Sequence, residues 1–191
     1  MPFTVSLIRD EINFETLPVA KITNYPLEKA AYKPFAQCCL CISQADNILR
    51  LRMWAFEVYS SPQSELKAVL YLFSEKHLSL HITITAEDPV AIKAFVMGES
   101  GEEIPVQADI SPHNGEDLQG VYWGANIAIS LNALAKTAPL CGLSVGEHFY
   151  GNFYKLRDDA DYSHMGSYAP ANFPDSPFDI DSMDIFSLVS Y

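Results

Sequence analysis

From Ile48 to Tyr59 the side chains alternate with period two: Leu49, Leu51, Met53 and Ala55 fall on one face, Arg50, Arg52, Trp54 and Phe56 on the other. A helix would scatter these residues around its axis, so the segment reads as a strand with two chemically different faces. The first is an ordinary core face. The second joins guanidinium groups to an indole, which is unusual on a surface that meets only water. The same period returns from His77 to Thr85, where Leu78, Leu80, Ile82 and Ile84 alternate with His77, Ser79, His81 and Thr83. It returns again from Val121 to Ile129, with Val121, Trp123, Ala125, Ile127 and Ile129 in phase and Asn126 out of phase.

Shorter strands are expected at Phe35 to Ile42, Ala68 to Phe73, Ala91 to Met97, Ile104 to Ile110, Glu147 to Leu156 and Ile185 to Ser190, separated by turn clusters such as Ser43-Gln44-Ala45-Asp46-Asn47 and Gly98-Glu99-Ser100-Gly101. Short strands at steady spacing predict an all-β fold, an antiparallel β-sandwich of jelly-roll-like form. Ser130 followed by Leu131-Asn132-Ala133-Leu134-Ala135-Lys136 supplies an N-cap and good helix formers, so one short helix is expected there. Residues 1–35 carry Pro2, Pro18, Pro26 and Pro34, which suits a packed N-terminal extension or edge strands. No internal repeat or linker divides the chain, and residues 1–191 read as a single domain.

Of the 191 residues, 49% are apolar, enough for a sizeable core, while 12 Lys and Arg face 24 Asp and Glu for a formal charge of −12. That field repels phosphate backbones and anionic lipid, so neither nucleic acid nor a membrane surface is expected as a partner. A neutral ligand is compatible with it. The beginning of the chain has no basic n-region or long apolar stretch, so it reads as cytoplasmic or as lacking its leader. Cys38, Cys39 and Cys41 are too close along one strand to bridge one another, and Cys141 could pair with only one of them, so free thiols are expected.

Four patterns with chemical potential carry bland readings here. Gly142-Leu143-Ser144-Val145-Gly146 matches the nucleophile elbow of hydrolases, but an aromatic strand rather than a helix follows it, which leaves a small esterase as a remote alternative. His77 and His81 would stand about 13 Å apart along a strand, too far to share a metal. Cys39 and Cys41 show no activating neighbour and read as packing. Asp158, Asp159 and Asp161, with Asp175, Asp179, Asp181 and Asp184, offer oxygens at loop-like spacing, so a structural calcium is the one cofactor they could serve.

The densest segment is Gly151-Asn152-Phe153-Tyr154-Lys155-Leu156-Arg157, followed by an acidic stretch, His164, and Gly166-Ser167-Tyr168-Ala169-Pro170. This order resembles the carbohydrate-binding module family 9-like group, a DOMON-like β-sandwich, over residues 45 to 191. That family carries an Asn-Phe-Tyr-Lys/Arg segment, a polar loop and then Ser-aromatic-x-Pro. The resemblance implies a noncatalytic module that holds a monosaccharide or oligosaccharide by stacking and polar contacts. Tyr168 is the position carried over from the family's aromatic, and Asn152, Phe153, Tyr154 and Lys155 map directly. Sugar recognition needs an aromatic platform for the C–H face of a pyranose and fixed polar groups for its hydroxyls. The candidate ligand-binding set is therefore Trp54, Tyr168, Arg52, Glu57, Asn152, Tyr154 and His164. The same aromatic surface could instead dock a protein. The family's internal acid and its closing Phe-His-x-Pro-Glu-x-Phe-Gly are missing here, where Glu65 to Phe73 and Phe178 to Asp184 stand instead.

Overall fold

The computed structural model describes residues 2–9, 11–27, 34–59, 61–72, 78–86, 91–96, 101–159 and 162–191. Phe73, His77, Met97 and Asp161, as well as the turn at 98–100, lie outside the described residues. Among the described residues thirteen strands form: β1 (Phe3–Ile8), β2 (Val19–Lys21), β3 (Phe35–Ser43), β4 (Ile48–Glu57), β5 (Ser64–Leu72), β6 (Leu78–Thr85), β7 (Ala91–Val96), β8 (Glu102–Ile104), β9 (Ala108–Asp117), β10 (Gly120–Ser130), β11 (His148–Arg157), β12 (His164–Ser167) and β13 (Asp184–Ser190). The helix α1 (Leu131–Ala135) starts where the sequence places it, with the Ser130 hydroxyl accepting the Ala133 N–H at 3.2 Å.

Hydrogen bonding is continuous along β8-β7-β6-β5-β11-β13-β1-β3-β4-β10-β9, with β12 added to β11 and β2 added to β3. The all-β expectation is met by one curled sheet. The expectation of purely antiparallel pairing is corrected: β1 runs parallel to both of its neighbours, with Val5 opposite Leu188 of β13 and Leu7 opposite Ile42 of β3. The start of the chain is correspondingly more than edge or wrapping. Val5 and Leu7 are buried on one face, Ser6 and Ile8 on the other, so β1 is a two-sided interior strand, whereas β2 has the short, exposed pattern of an edge.

The curl brings the two halves of the sheet together, β4 near β5 and β10 near β6. One buried cluster fills the interior, drawing Leu49, Leu51 and Met53 from β4, Leu66, Ala68 and Leu70 from β5, and Phe149 and Phe153 from β11. Leu49 to Ala55 face it in the predicted phase. A second, smaller cluster lies on the outer face, where Ile8, Leu17, Cys39 and Cys41 pack with Ile12 and Phe14. It fastens the 3₁₀ turn Phe14–Thr16 against the outside of β3. None of the four cysteines is in a disulfide; Cys38, Cys39 and Cys41 are buried, and Cys141 is exposed. Burial pushes the thiols of Cys38, Cys39 and Cys41 up, that of Cys41 to about 11, so they are held as inert packing groups.

Candidate functional site

The outward side chains of β4 form the floor of an open cleft of about 600 Å³. The cross-strand register arranges it in rows. Trp54 stands between Gln37 of β3 and Gly124 of β10, with His113 of β9 beyond. Arg52 stands in the next row between Cys39 and Asn126, and Phe56 in the row on the other side between Phe35 and Tyr122. Glycine matters at one position in this surface: a Cβ on Gly115 would lie 2.1 Å from atoms of the Tyr122 ring, so Tyr122 can fold down over β9 only because Gly115 is bare. Phe35 and Trp54 rings meet at 5.0 Å between centroids, bracing the indole from one side.

Arg52 is fixed from three directions. Its Nε donates to Asn126 Oδ1 at 3.0 Å, its guanidinium carbon lies 4.5 Å from the Phe14 ring centroid, and its Nη1 pairs with Glu15 Oε1 at 2.6 Å. The pKa of His113 is lowered from its ordinary value by burial and then by the Arg52 charge. The cleft thus combines a half-buried indole, a phenol and a phenyl ring with an amide, a guanidinium and an imidazole. Such a surface can stack on an apolar ring and hydrogen-bond its edge.

Glu57 and His164 are placed elsewhere, in an ionic network buried under the sheet. Glu57 is fully buried; its Oε2 accepts the Trp123 indole N–H at 2.8 Å and its Oε1 accepts the Ser64 hydroxyl at 2.8 Å. Lys155 Nζ lies 3.2 Å and Arg157 Nη1 3.5 Å from the same Oε1. Lys155 Nζ also meets His164 Nε2 at 3.2 Å, while His164 Nδ1 bonds the Tyr162 carbonyl at 2.9 Å. These partners fix the neutral tautomer with the proton on Nδ1. Burial draws the Lys155 pKa down to about 8 against the pull of Glu57. Arg157 is further committed to Asp159 and to the Tyr59 carbonyl.

The resemblance segment is interior as well. Asn152 is fully buried and works as a strand surrogate: its Nδ2 donates to the carbonyls of Ala169 at 3.1 Å and Ser182 at 2.8 Å, and its Oδ1 accepts the Ala169 N–H at 3.0 Å. Tyr154 is buried against the edges of Phe173 and Phe178, with its hydroxyl donating to the Pro177 carbonyl, and burial pushes its pKa up. Tyr168 is half-buried, edge-on to Phe3 at 5.5 Å, and borders a smaller cleft of about 390 Å³ with Pro170 and Asp184. Trp54 and Tyr168 therefore line different clefts. A third depression, of about 680 Å³, touches Arg157 and His164, but both are tied into the buried network and the Phe178 ring beside it is covered by Lys67 Nζ at 4.5 Å.

Sequence reasoning singled out Trp54 and Arg52 from the outward phase of β4; it missed Phe14, Glu15, His113, Tyr122 and Asn126 as their neighbours. Asn126 carried a signal, being polar and out of phase with the core residues of β10. Phe14 and Glu15 carried none, because only the fold brings that turn beside β4. Ser144 lies in a loop that runs into β11, its N–H bonded to the Glu147 carboxylate at 2.7 Å, so the strand-to-helix geometry of an elbow is absent. Among the described residues, no group of three or more His, Cys, Asp or Glu is gathered so as to hold a metal, and no helix is long and apolar enough to cross a membrane.

No protein-family model and no curated protein matches the chain. The fold does match a solved structure, a candidate carbohydrate-binding protein from Bacteroides uniformis, with a TM-score of 0.69 over 98% of both chains at 14% identity. At that identity the likeness speaks for the fold.

Proposed function

We propose that the protein is a noncatalytic carbohydrate-binding module that holds a saccharide in the outer cleft of β4, a pyranose face stacked on Trp54 and its hydroxyls bonded by the polar groups around it. The observation that carries this reading is the joining, on one open surface, of aromatic faces with an amide and a guanidinium already locked in place. Preorganised donors lose little freedom on binding, which is what a weakly apolar, heavily hydrated ligand demands. The structural neighbour's description as carbohydrate-binding supports the same class of ligand. The kinship to the family 9-like, DOMON-like modules and to a jelly-roll-like sandwich belongs to this proposal too, supported by a curled sheet whose two halves enclose one core and by the place of Asn152 to Lys155 within β11.

The other sequence-selected residues take supporting parts in this reading. Asn152 and Tyr154 anchor the loop that follows β12, Glu57 and His164 hold the interior beneath the sheet, and Tyr168 borders a separate depression. A saccharide array read with wild type and Trp54→Ala tests the proposal. Wild type is expected to bind, and Trp54→Ala to lose at least about tenfold in affinity, since stacked aromatic anchors dominate such contacts. Equal binding by the variant would refute it.

A protein-docking surface is the second reading, favoured by the exposure of Val19, Phe35 and Tyr122 at the rim, each more than 40% accessible. Silence on the array together with self-association in sizing chromatography would favour it over the first.

A further inference from the structure

We infer that the saccharide held in this cleft carries a single carboxylate, a uronate set in an otherwise neutral chain, which Arg52 binds in place of Glu15; this rests on the reading above. Arg52 is a built anion receptor. Its Nε is occupied by Asn126 Oδ1, and the Phe14 ring lies against its plane, so the guanidinium is aimed before any ligand arrives. Its present anion is easily exchanged: the Glu15 side chain is 81% accessible, against 29% for Arg52, and the 3₁₀ turn that bears it buries none of its residues. Ion pairs of this exposure contribute little net stability, so an incoming carboxylate displaces Glu15 at small cost.

Three further observations agree. Among the described residues, Glu15 is the only acidic one lining the cleft, in a chain with 24 acidic residues against 12 basic ones, so with Glu15 turned away the fixed charge of the described lining is positive. Arg52 and Trp54 are two positions apart on one face of β4, about 7 Å along the strand. A carboxyl oxygen on C5 lies about 4 Å from the centre of a stacked pyranose, and a hydrogen bond of about 3 Å to the guanidinium completes that span. The formal charge of −12 over the whole chain opposes a polyanion at long range, which favours an isolated uronate over a polyuronate.

The experiment titrates matched pairs of oligosaccharides, each a uronate-bearing chain and its carboxyl-reduced counterpart on several neutral backbones, into wild type, Arg52→Gln and Glu15→Gln by calorimetry. Wild type is expected to prefer the uronate member by about tenfold or more. Arg52→Gln brings that ratio close to one. Glu15→Gln raises it by roughly two- to fivefold, because the internal competitor is gone; this exposed substitution also keeps the test intact should Arg52→Gln fold poorly. Equal binding of the two members by wild type, with dependence on Trp54 retained, would overturn the uronate assignment and leave the stacking reading standing. A preference that survives Arg52→Gln would overturn it as well. Binding of no member of any pair would remove both.

Discussion

Replacing Glu57 with leucine is expected to cost about 3–5 kcal/mol of folding stability, the range found when one partner is removed from a buried ion pair. The carboxylate answers four groups at once: the Trp123 indole and the Ser64 hydroxyl, each at 2.8 Å, and the Lys155 and Arg157 cations at 3.2 and 3.5 Å. Leucine satisfies none of them and strands the fully buried Lys155 cation, while Arg157 keeps only Asp159 as its counter-charge. Glu57→Gln should cost less, since one amide oxygen can still accept from Trp123 or Ser64. The pair Glu57→Leu with Lys155→Met should cost less than Glu57→Leu alone, because the second change removes a stranded charge. Urea denaturation of the three variants reads these differences. A loss below about 1 kcal/mol for Glu57→Leu would contradict the network as described.

Acid should weaken the fold well before its surface carboxylates titrate. His164 is 3% exposed and neutral, and burial first, then the adjacent Lys155 charge, lower its pKa from the usual 6.5 to about 4. Unfolded, the imidazole takes up a proton below about 6.5; folded, it does so only below about 4. Between those values the unfolded state binds more protons, so stability falls as the pH drops through that window. The loss attributable to His164 is about 3 kcal/mol at full development, from a shift of this size. Denaturation midpoints measured across the window should slope downward toward acid in wild type and flatten in His164→Gln, whose amide oxygen can still accept from Lys155. An equal slope in both proteins would place the acid sensitivity elsewhere.

The period-two phase of the sequence carried most of what is seen in β4, β6 and β10, and the cap at Ser130 located α1. It also held information about the interior that only parity reveals. Glu57 continues the phase of Leu49, Leu51, Met53 and Ala55, and Lys155 and Arg157 continue that of Phe149 and Phe153. Opposite charges at inward positions on two strands are a readable sign of a buried pair rather than of a ligand surface. Other features were beyond local pattern. The parallel placement of β1 depends on β13, more than 170 residues away, and pairing over such separation leaves no mark on neighbouring residues. The short strand β12 lies within a polar stretch, where its residues are selected by contact with β11 instead of by alternation. The division of the candidate residues among the outer cleft, the ionic network and the Tyr168 depression follows from the curl of the sheet, which sequence spacing alone does not encode.

The two tryptophans provide the most direct test of the central claim, because they occupy opposite sides of the sheet: Trp54 faces the outer cleft, and Trp123 is 2% exposed with its indole N–H bound to Glu57. Their indole N–H resonances can be assigned by single Trp→Phe variants and followed during titration with a saccharide that binds. The account predicts that the Trp54 resonance moves with saturation while that of Trp123 stays in place. Movement confined to the surroundings of Tyr168, with Trp54 unchanged at saturation, would contradict it.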